Sequence, residues 1–582
     1  MDQKRSFLLP ILLAALLLCG CSRHASTQLS DFADELFIRE ISSDSLTLNY
    51  TVSSPENYAV KQLPSGFPSF QYSDLEQNSA LYENQLSKLE QCKSDHFSIS
   101  DQVLYDVLKN YFKTELASSK YTVFFRGFSP TTGIQAQLPV LLSEFRFQDK
   151  NDVEQYLALL HTLPSYFQSL LNVETENQKR SHGLSKGSIQ RIRSQCEEFL
   201  NGHGETILTS SFADATKNMN FLTTQEKTAY QKQVQSAVND QVIPAYRSLI
   251  QQLNILEKTA VSQGNLCHYP QGKAYYQQLV QESTGASRPL AQLVTDMQQR
   301  LTTARHRLAT YAKENPSLFS RCQRYTTFFH QPEEILAHLE KEIKKDFPSL
   351  TPSNGRSFVH HIEYIPYSLE NYLSPAFYLT PPIDDIYQNI IYLNPAYTNS
   401  SSLFTTLAHE GYPGHLYQTC YFASQNPHPI RQLLSYPGYS EGYGTYAEIY
   451  SYQYTGLSAE EIDLLQQNQI MSLCIYGLCD VGIHYDGWDI PELTRFLSTY
   501  GIKQKESIQN LYETIIDEPA NYLRYTCGYL EILHVKDIMK KNLGASYNER
   551  DFHQYLLSVG PASFSVIEKY LPDYKSIFLC KN

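Results

Sequence analysis

Two histidines and three glutamates between positions 409 and 448 carry the chemistry this chain offers. In "LAHEGYPGHLYQ" (407–418), His409 and Glu410 are followed by Gly411, Tyr412, Pro413 and Gly414 before His415. Two imidazoles one helical turn apart, with a carboxylate beside the first, make a hydrolytic zinc site, and the usual spacing is four. Here the spacing is six. In a regular helix positions i and i+6 diverge by about 120° and about 9 Å along the axis, so one ion cannot reach both. Pro413 removes an amide donor and crowds the preceding turn, while Gly411 and Gly414 accept backbone angles other residues avoid. A bulge of two extra residues at Pro413-Gly414 restores the one-turn relationship. His409 and His415 are therefore candidate metal ligands, against a kinked helix with two incidental histidines.

The next stretch supplies what such a site lacks. "YSEGYGTYAEIYSYQY" places Glu441 26 positions after His415 and Glu448 seven further on, on one helical face. Zinc with two imidazoles needs a third, anionic ligand and an open position for water, and Glu441 suits that place. Glu448 suits the orientation of a histidine from behind. Glu410, next to a ligand, is placed to take a proton from water on the metal. The plainer alternative for Glu441 and Glu448 is a solvated helix face.

The elements that must hold these residues divide by composition. From 31 to 350 the pattern is helical: "RPLAQLVTDMQQRLTTARHRLATYAKENP" carries apolar residues at three- and four-residue spacing, starting at Pro289 and stopping before Pro316. After 350, "FVHHIEYIPYSLENYLSPAFYLTPP" and "NIIYLNP" are aromatic, β-branched and proline-punctuated, which predicts short strands and loops. Strand residues alternate faces, so at most one of His360 and His361 meets a cleft, and both stay outside the metal shell. "IIYLNP", just before the metal helix, is expected to present an open edge able to bind an extended peptide. His182, His203, His306 and His330 read as ordinary surface or core histidines, and His534 and His553 as structural.

At 582 residues the chain exceeds the roughly 250–300 residues of one core, so two lobes are expected. We divide it into a signal peptide (1–20), a polar tether (21–30), a helical N-terminal lobe (31–350) and a metal-binding catalytic lobe (351–582), with 31–582 expected to form one unit. "MDQKRSFLLPILLAALLLCGC" has a basic start and an apolar run shorter than the ~20 residues of a membrane span, followed by polar sequence. Its end resembles a bacterial lipobox, with Cys21 as the lipidated residue. The expected place is the outer face of the bacterial cell membrane, held by an N-terminal lipid, against the plainer alternative of a cleaved signal without lipid. A net charge of −13 argues against nucleic acid as a partner. The remaining cysteines form no C-x-x-C pair and read as buried free thiols.

Several ordered motifs are more specific than any one of them. "HEGYPGHLYQ" resembles the H-E-x-x-P-G-H-x-x-Q signature of the DUF885 family, bacterial proteins placed with the gluzincin-like metallopeptidases (peptidase MA clan). "EGYGTYAE" is similar to its E-G-W-A-x-Y-x-E, with Tyr443 for Trp and Gly444 for Ala. "CDVGIHYDGW", "EPANYLRYTCGYLEI" (Arg524 at the usual Ser position) and "DFHQYLLSVGPASFSVI" resemble further motifs of that family, in order. The resemblance implies a mainly α, two-lobed metallopeptidase-like fold with a central cleft and a small β-sheet beside the metal helix. It implies Zn²⁺ on His409, His415 and Glu441 with Glu410 as base. His484 and Tyr525, at matching positions, become candidates for holding the oxyanion, against a structural hydrogen bond inside a helical core; Arg524 becomes a candidate for meeting a substrate carboxylate, with a surface ion pair as its plainer role. The expected function is a zinc metallopeptidase acting on peptide substrates, with carboxy-, amino- and endopeptidase modes all open. Two other classes fit the same residues: a peptide-binding lipoprotein without turnover, and a zinc hydrolase of a non-peptide amide or ester.

Overall fold

The computed structural model describes residues 26–60, 65–261, 264–322, 331–351, 355–365, 374–398 and 402–579. The signal segment and Cys21 lie outside these residues, as does His330. The fold is mainly helical, 73% helix and 3% strand. The elements that bear on the site are α1 (Ile99–Ser118), α2 (Lys150–Lys179), α3 (Ile243–Leu256) and α4 (Leu290–Glu314). After them come β1 (Val359–Tyr364), β2 (Ala376–Leu379) and β3 (Gln388–Leu393). The C-terminal half adds α5 (Leu403–Glu410), α6 (His415–Ser424), α7 (Pro437–Ser451), α8 (Ala459–Val481), α9 (Asn521–Leu543) and α10 (Glu549–Val559).

Local chemistry accounts for the helix limits. Asp149 caps α2 by accepting from the Asn151 and Asp152 amides, and Asp152 returns the bond in a capping box. Helix α4 is bounded by Pro289 and Asn315 as its caps, as its sequence predicts, and Leu290, Leu293, Met297, Leu301 and Ala304 bury the stripe that packs along α8.

The hydrophobic cores divide the chain differently from a boundary at 350. One core gathers residues 29–124, 266–347 and 376–574; the other gathers Phe67 and residues 128–256, around α2 and α3. The composition change near 350 marks a switch to strands, not the edge of a core. Amphipathic helices on both sides of it need partners for their apolar faces, and they find each other. Asp106 on α1 receives both Lys569 and Tyr570, and Tyr436 donates to the Val107 carbonyl.

The sheet corrects a second expectation. Its strand order is β1-β3-β2, with β1 parallel and β2 antiparallel to β3. "IIYL" is thus the central strand, hydrogen-bonded on both sides, and offers no open edge. The hydrophobic run predicted a strand well but was misread as an edge; a run buried on both faces marks the middle of a sheet. The edge beside α5 is β2. Tyr392 of β3 donates to Glu144 and ties the sheet toward the second core.

The eight described cysteines are free, all but Cys267 buried. No helix among the described residues is long and apolar enough to cross a membrane.

Candidate metal centre

Helix α5 ends at Glu410, and its last amide bond runs from Gly411 N–H to the Leu407 carbonyl at 2.9 Å. Helix α6 begins at His415, where Gln418 N–H reaches the Gly414 carbonyl at 2.8 Å. Between them lie four residues, with a cis peptide at Tyr412–Pro413. The expected bulge inside one helix is therefore a break between two. Tyr443 of α7 stakes this break by donating to the Pro413 carbonyl at 2.9 Å. Space permits only glycine at 414, because a Cβ there would stand 1.8 Å from the His409 carbonyl oxygen.

The break turns both imidazoles to one place, ring centroids 4.7 Å apart and nearly perpendicular. Glu441, on the first turns of α7, meets them: its Oε2 is 3.6 Å from His409 Nε2 and 3.5 Å from His415 Nε2. One ligand atom from each of His409, His415 and Glu441 lies within 4.8 Å of the others. Each imidazole is held from behind through Nδ1, His409 by Glu448 Oε2 at 3.4 Å and His415 by Gln418 Oε1 at 3.5 Å. With N–H directed at those oxygens, each Nε2 is left facing the shared space, where a bound cation would take its lone pair in place of a proton. Burial opposes charge on His409, yet Glu441 and Glu448 prevail and hold its pKa well above the ordinary value. Burial likewise opposes charge on Glu441, and the two imidazoles hold its carboxyl well below the usual range. A cluster that draws protons this strongly also suits a divalent cation. Gly444 keeps the space beneath it open, since a Cβ would stand 2.7 Å from His409 Nε2.

Glu410 lies beside this group on the sheet side, where its Oε2 accepts the Tyr378 amide of β2 at 2.9 Å. Tyr525 on α9 lies near His409, their ring centroids 6.5 Å apart. Helices α7 and α9 approach closely enough for this because Gly442 and Gly528 meet. A Cβ on Gly442 would stand 2.6 Å from the Gly528 Cα. Burial, reinforced by Glu441, pushes the Tyr525 phenol up, so it keeps its proton. Arg524 donates to Glu518 Oε1 at 2.7 Å and lines a cavity of about 430 Å³ with Arg126, Tyr269 and Ile516.

His484 is a correction. It is fully buried, its Nε2 lies 2.8 Å from the Ile515 carbonyl, and its Nδ1 accepts the Leu266 amide at 3.3 Å. Neither nitrogen is left to face a substrate. Asp480, four residues earlier, accepts from Tyr276 at 2.6 Å and from the Ala520 amide at 3.0 Å. The pair pins the connection that leads into α9 and so positions Tyr525 from a distance. His360 also stays outside the cluster, with Nδ1 3.4 Å from the Tyr412 hydroxyl. His182 and His553 are satisfied core residues: His182 sits between the Arg180 and Pro270 carbonyls, and His553 between Tyr446 and the Asp346 carbonyl. Gln418 is the residue sequence reasoning passed over. Its signal was present, because His415 and Gln418 stand three apart and share a helix face.

Burial lowers the His484 pKa to about 4, which gives a signed prediction. The unfolded imidazole takes a proton that the folded one refuses, so its contribution is full above about pH 6.5 and is lost as pH falls toward 4. Asp480, pushed up to about 7 by burial, titrates with the opposite sign, so the measure is a difference between proteins. His484→Leu should lose about 1–3 kcal/mol at pH 7 by stranding two backbone groups. It should also lose less further stability between pH 7 and 4.5 than the parent. Urea denaturation at both pH values reads this; an equal acid loss in parent and variant would refute the assignment.

A mainly helical protein with two imidazoles and a carboxylate converging at a helix break is the class that fold and site define. The chain belongs to the DUF885 family, bacterial proteins of unknown function, whose sequence profile matches residues 65–571. Two solved structures share the fold. One is of a protein described as a lipoprotein from Colwellia psychrerythraea: 17% identity, TM-score 0.81, covering 94% of this chain and 99% of that one. The other is described as a lipoprotein of unknown function from Shewanella oneidensis: 15% identity, TM-score 0.67, with the same coverages. No curated protein matches the sequence significantly.

Proposed function

We propose that this chain is a zinc-dependent hydrolase of peptide bonds. The observation that carries the reading is the convergence of His409, His415 and Glu441 within 4.8 Å beside a carboxylate, Glu410, that is not part of the group. Two imidazoles and one carboxylate suit zinc best among the common divalent ions and leave a fourth position open. A zinc ion held there would supply Lewis acidity and lower the pKa of a water. The rest is the work of the chain. Glu448 and Gln418 fix the tautomer and direction of the two imidazoles. Glu410 has one oxygen engaged by Tyr378 and the other available to accept a proton from the attacking water and return it to the leaving amine. Tyr525, protonated and near the cluster, donates to the developing oxyanion. Strand β2, the edge beside Glu410, offers backbone groups along which an extended peptide can lie. The likeness to two proteins described as lipoproteins supports an anchor at Cys21 on the outer face of the membrane, where the substrates would be environmental or wall peptides.

The test is a diverse peptide library incubated with the zinc-loaded chain and with chelator-stripped chain, read by mass spectrometry. Cleavage by the loaded protein alone is expected, and the fragments show whether residues leave from an end or from within. Intact peptides after prolonged incubation, with zinc verified at one per chain, would turn the reading to a binding lipoprotein or a hydrolase of another bond.

A further inference from the structure

Helices α6 and α7, which carry His415 and Glu441, are joined by residues 425–436, and one side chain in that connection is electrostatically incomplete. Arg431 is 5% exposed. Its Nη2 donates to the Val559 carbonyl at 2.7 Å and the Pro561 carbonyl at 3.0 Å, at the C-terminal end of α10. Its Nε is buried without a partner. A guanidinium has five N–H donors, and these two bonds place two. Among the described residues no carboxylate pairs with it. The groups that act on its charge are the phenols of Tyr436 and Tyr439, and both remain neutral because burial pushes them up. Burial brings the Arg431 pKa only to about 10, so the side chain stays charged at neutral pH.

An unpaired buried charge is strongly unfavourable. The carbonyls at the end of α10 and the Phe422 ring, 5.3 Å from Cζ, offset part of that with partial charges. Neither supplies a full negative charge. Beside Arg431 lies a cavity of about 330 Å³, walled also by Ser30, Ser100, Gln425, Asn426 and His428. That is room for much more than a water, whose share of liquid volume is about 30 Å³. Asp101 is itself on the cavity wall and Asp34 stands close by, and each has its own partners. Asp101 accepts from Ser26 at 2.8 Å and Ser98 at 2.9 Å, and Asp34 is 3.3 Å from His428 Nε2.

We infer that this cavity is a binding site for a small oxyanion, a phosphate or a carboxylate, with Arg431 as its principal partner. Such an anion supplies the missing charge and meets the hydroxyls of Ser30 and Ser100 on the other walls, where the Asp101 carboxylate is already engaged by Ser26 and Ser98. The site is separate from the metal cluster, and the inference does not depend on the hydrolase reading.

Calorimetric titration of the full chain with inorganic phosphate, acetate and glycerol 3-phosphate, each separately, tests it. Saturable one-site binding of at least one is expected. Ser100 is exposed on the cavity wall, and Ser100→Trp should close the cavity and weaken binding about tenfold or more. Arg431→Met should abolish it; if that variant fails to fold, Ser100→Trp carries the test. Exclusion of salts from the surface stabilises every protein alike and leaves no difference between parent and variant. Tighter binding of glycerol 3-phosphate than of inorganic phosphate identifies a lipid headgroup as the source, and equal binding a free anion. Absence of binding by the parent up to about 20 mM of all three, or undiminished binding by Ser100→Trp, overturns the inference.

Discussion

Glu410→Gln should lower peptide hydrolysis by about 10²–10⁴-fold while leaving zinc stoichiometry and folding as in the parent. The substitution keeps shape and size, and the amide oxygen can still accept the Tyr378 N–H that now meets Glu410 at 2.9 Å. What it removes is the ability to take a proton. Glu410 stands outside the group formed by His409, His415 and Glu441, so zinc should remain. The readings are the turnover of a cleaved library peptide, the metal content per chain and the melting temperature. A rate within about threefold of the parent would show that Glu410 is no base. Loss of zinc would show instead that Glu410 helps hold the ion. Because the two failures look different, this one variant separates the proton-transfer role from the metal-binding role.

Much of this site was legible because its chemistry has few solutions. Two imidazoles need a third anionic ligand, and the helix breakers Pro413 and Gly414 lie where a regular helix would have kept the imidazoles apart. The same local reasoning found α4 between Pro289 and Pro316. What it missed depends on partners distant in sequence. Nothing near residue 350 says that α1 packs with the chain around Lys569 and Tyr570, so the lobe boundary fell where composition changed and not where the cores divide. His484 shows a further limit. A histidine conforming to a motif has the same letter whether its nitrogens face a substrate or pin a backbone, and only the Ile515 and Leu266 contacts decide. The order β1-β3-β2 is likewise invisible in a strand's own composition, which is why β3 was mistaken for the edge. The close approach of α7 and α9 could be read only as two glycines in separate motifs until Gly442 and Gly528 were seen to face each other.

Gly414→Ala tests whether the helix break itself builds the centre. A Cβ at 414 would stand 1.8 Å from the His409 carbonyl oxygen and 2.4 Å from that of Ala408. These are backbone atoms at the end of α5 and cannot swing aside as a side chain can. The clash must be relieved by moving the start of α6 away from the end of α5, which separates the imidazoles now 4.7 Å apart. Strain of this kind belongs to the severe class of single substitutions, so a loss of about 3 kcal/mol or more is expected, with zinc affinity lowered at least about tenfold. Gly187→Ala is the control, because its Cβ would meet only the Arg191 guanidinium, at 3.3 Å and held by Asp517 and Glu513, in the first turn of a helix that carries no metal ligand. Alanine favours that helix by up to about 1 kcal/mol and should leave zinc binding untouched. Competition with a chromophoric chelator measures the affinity, and thermal melting the stability. If Gly414→Ala held zinc as tightly as the parent, the ion would not depend on His409 and His415 meeting across the break. The three-ligand assignment would then fail with it.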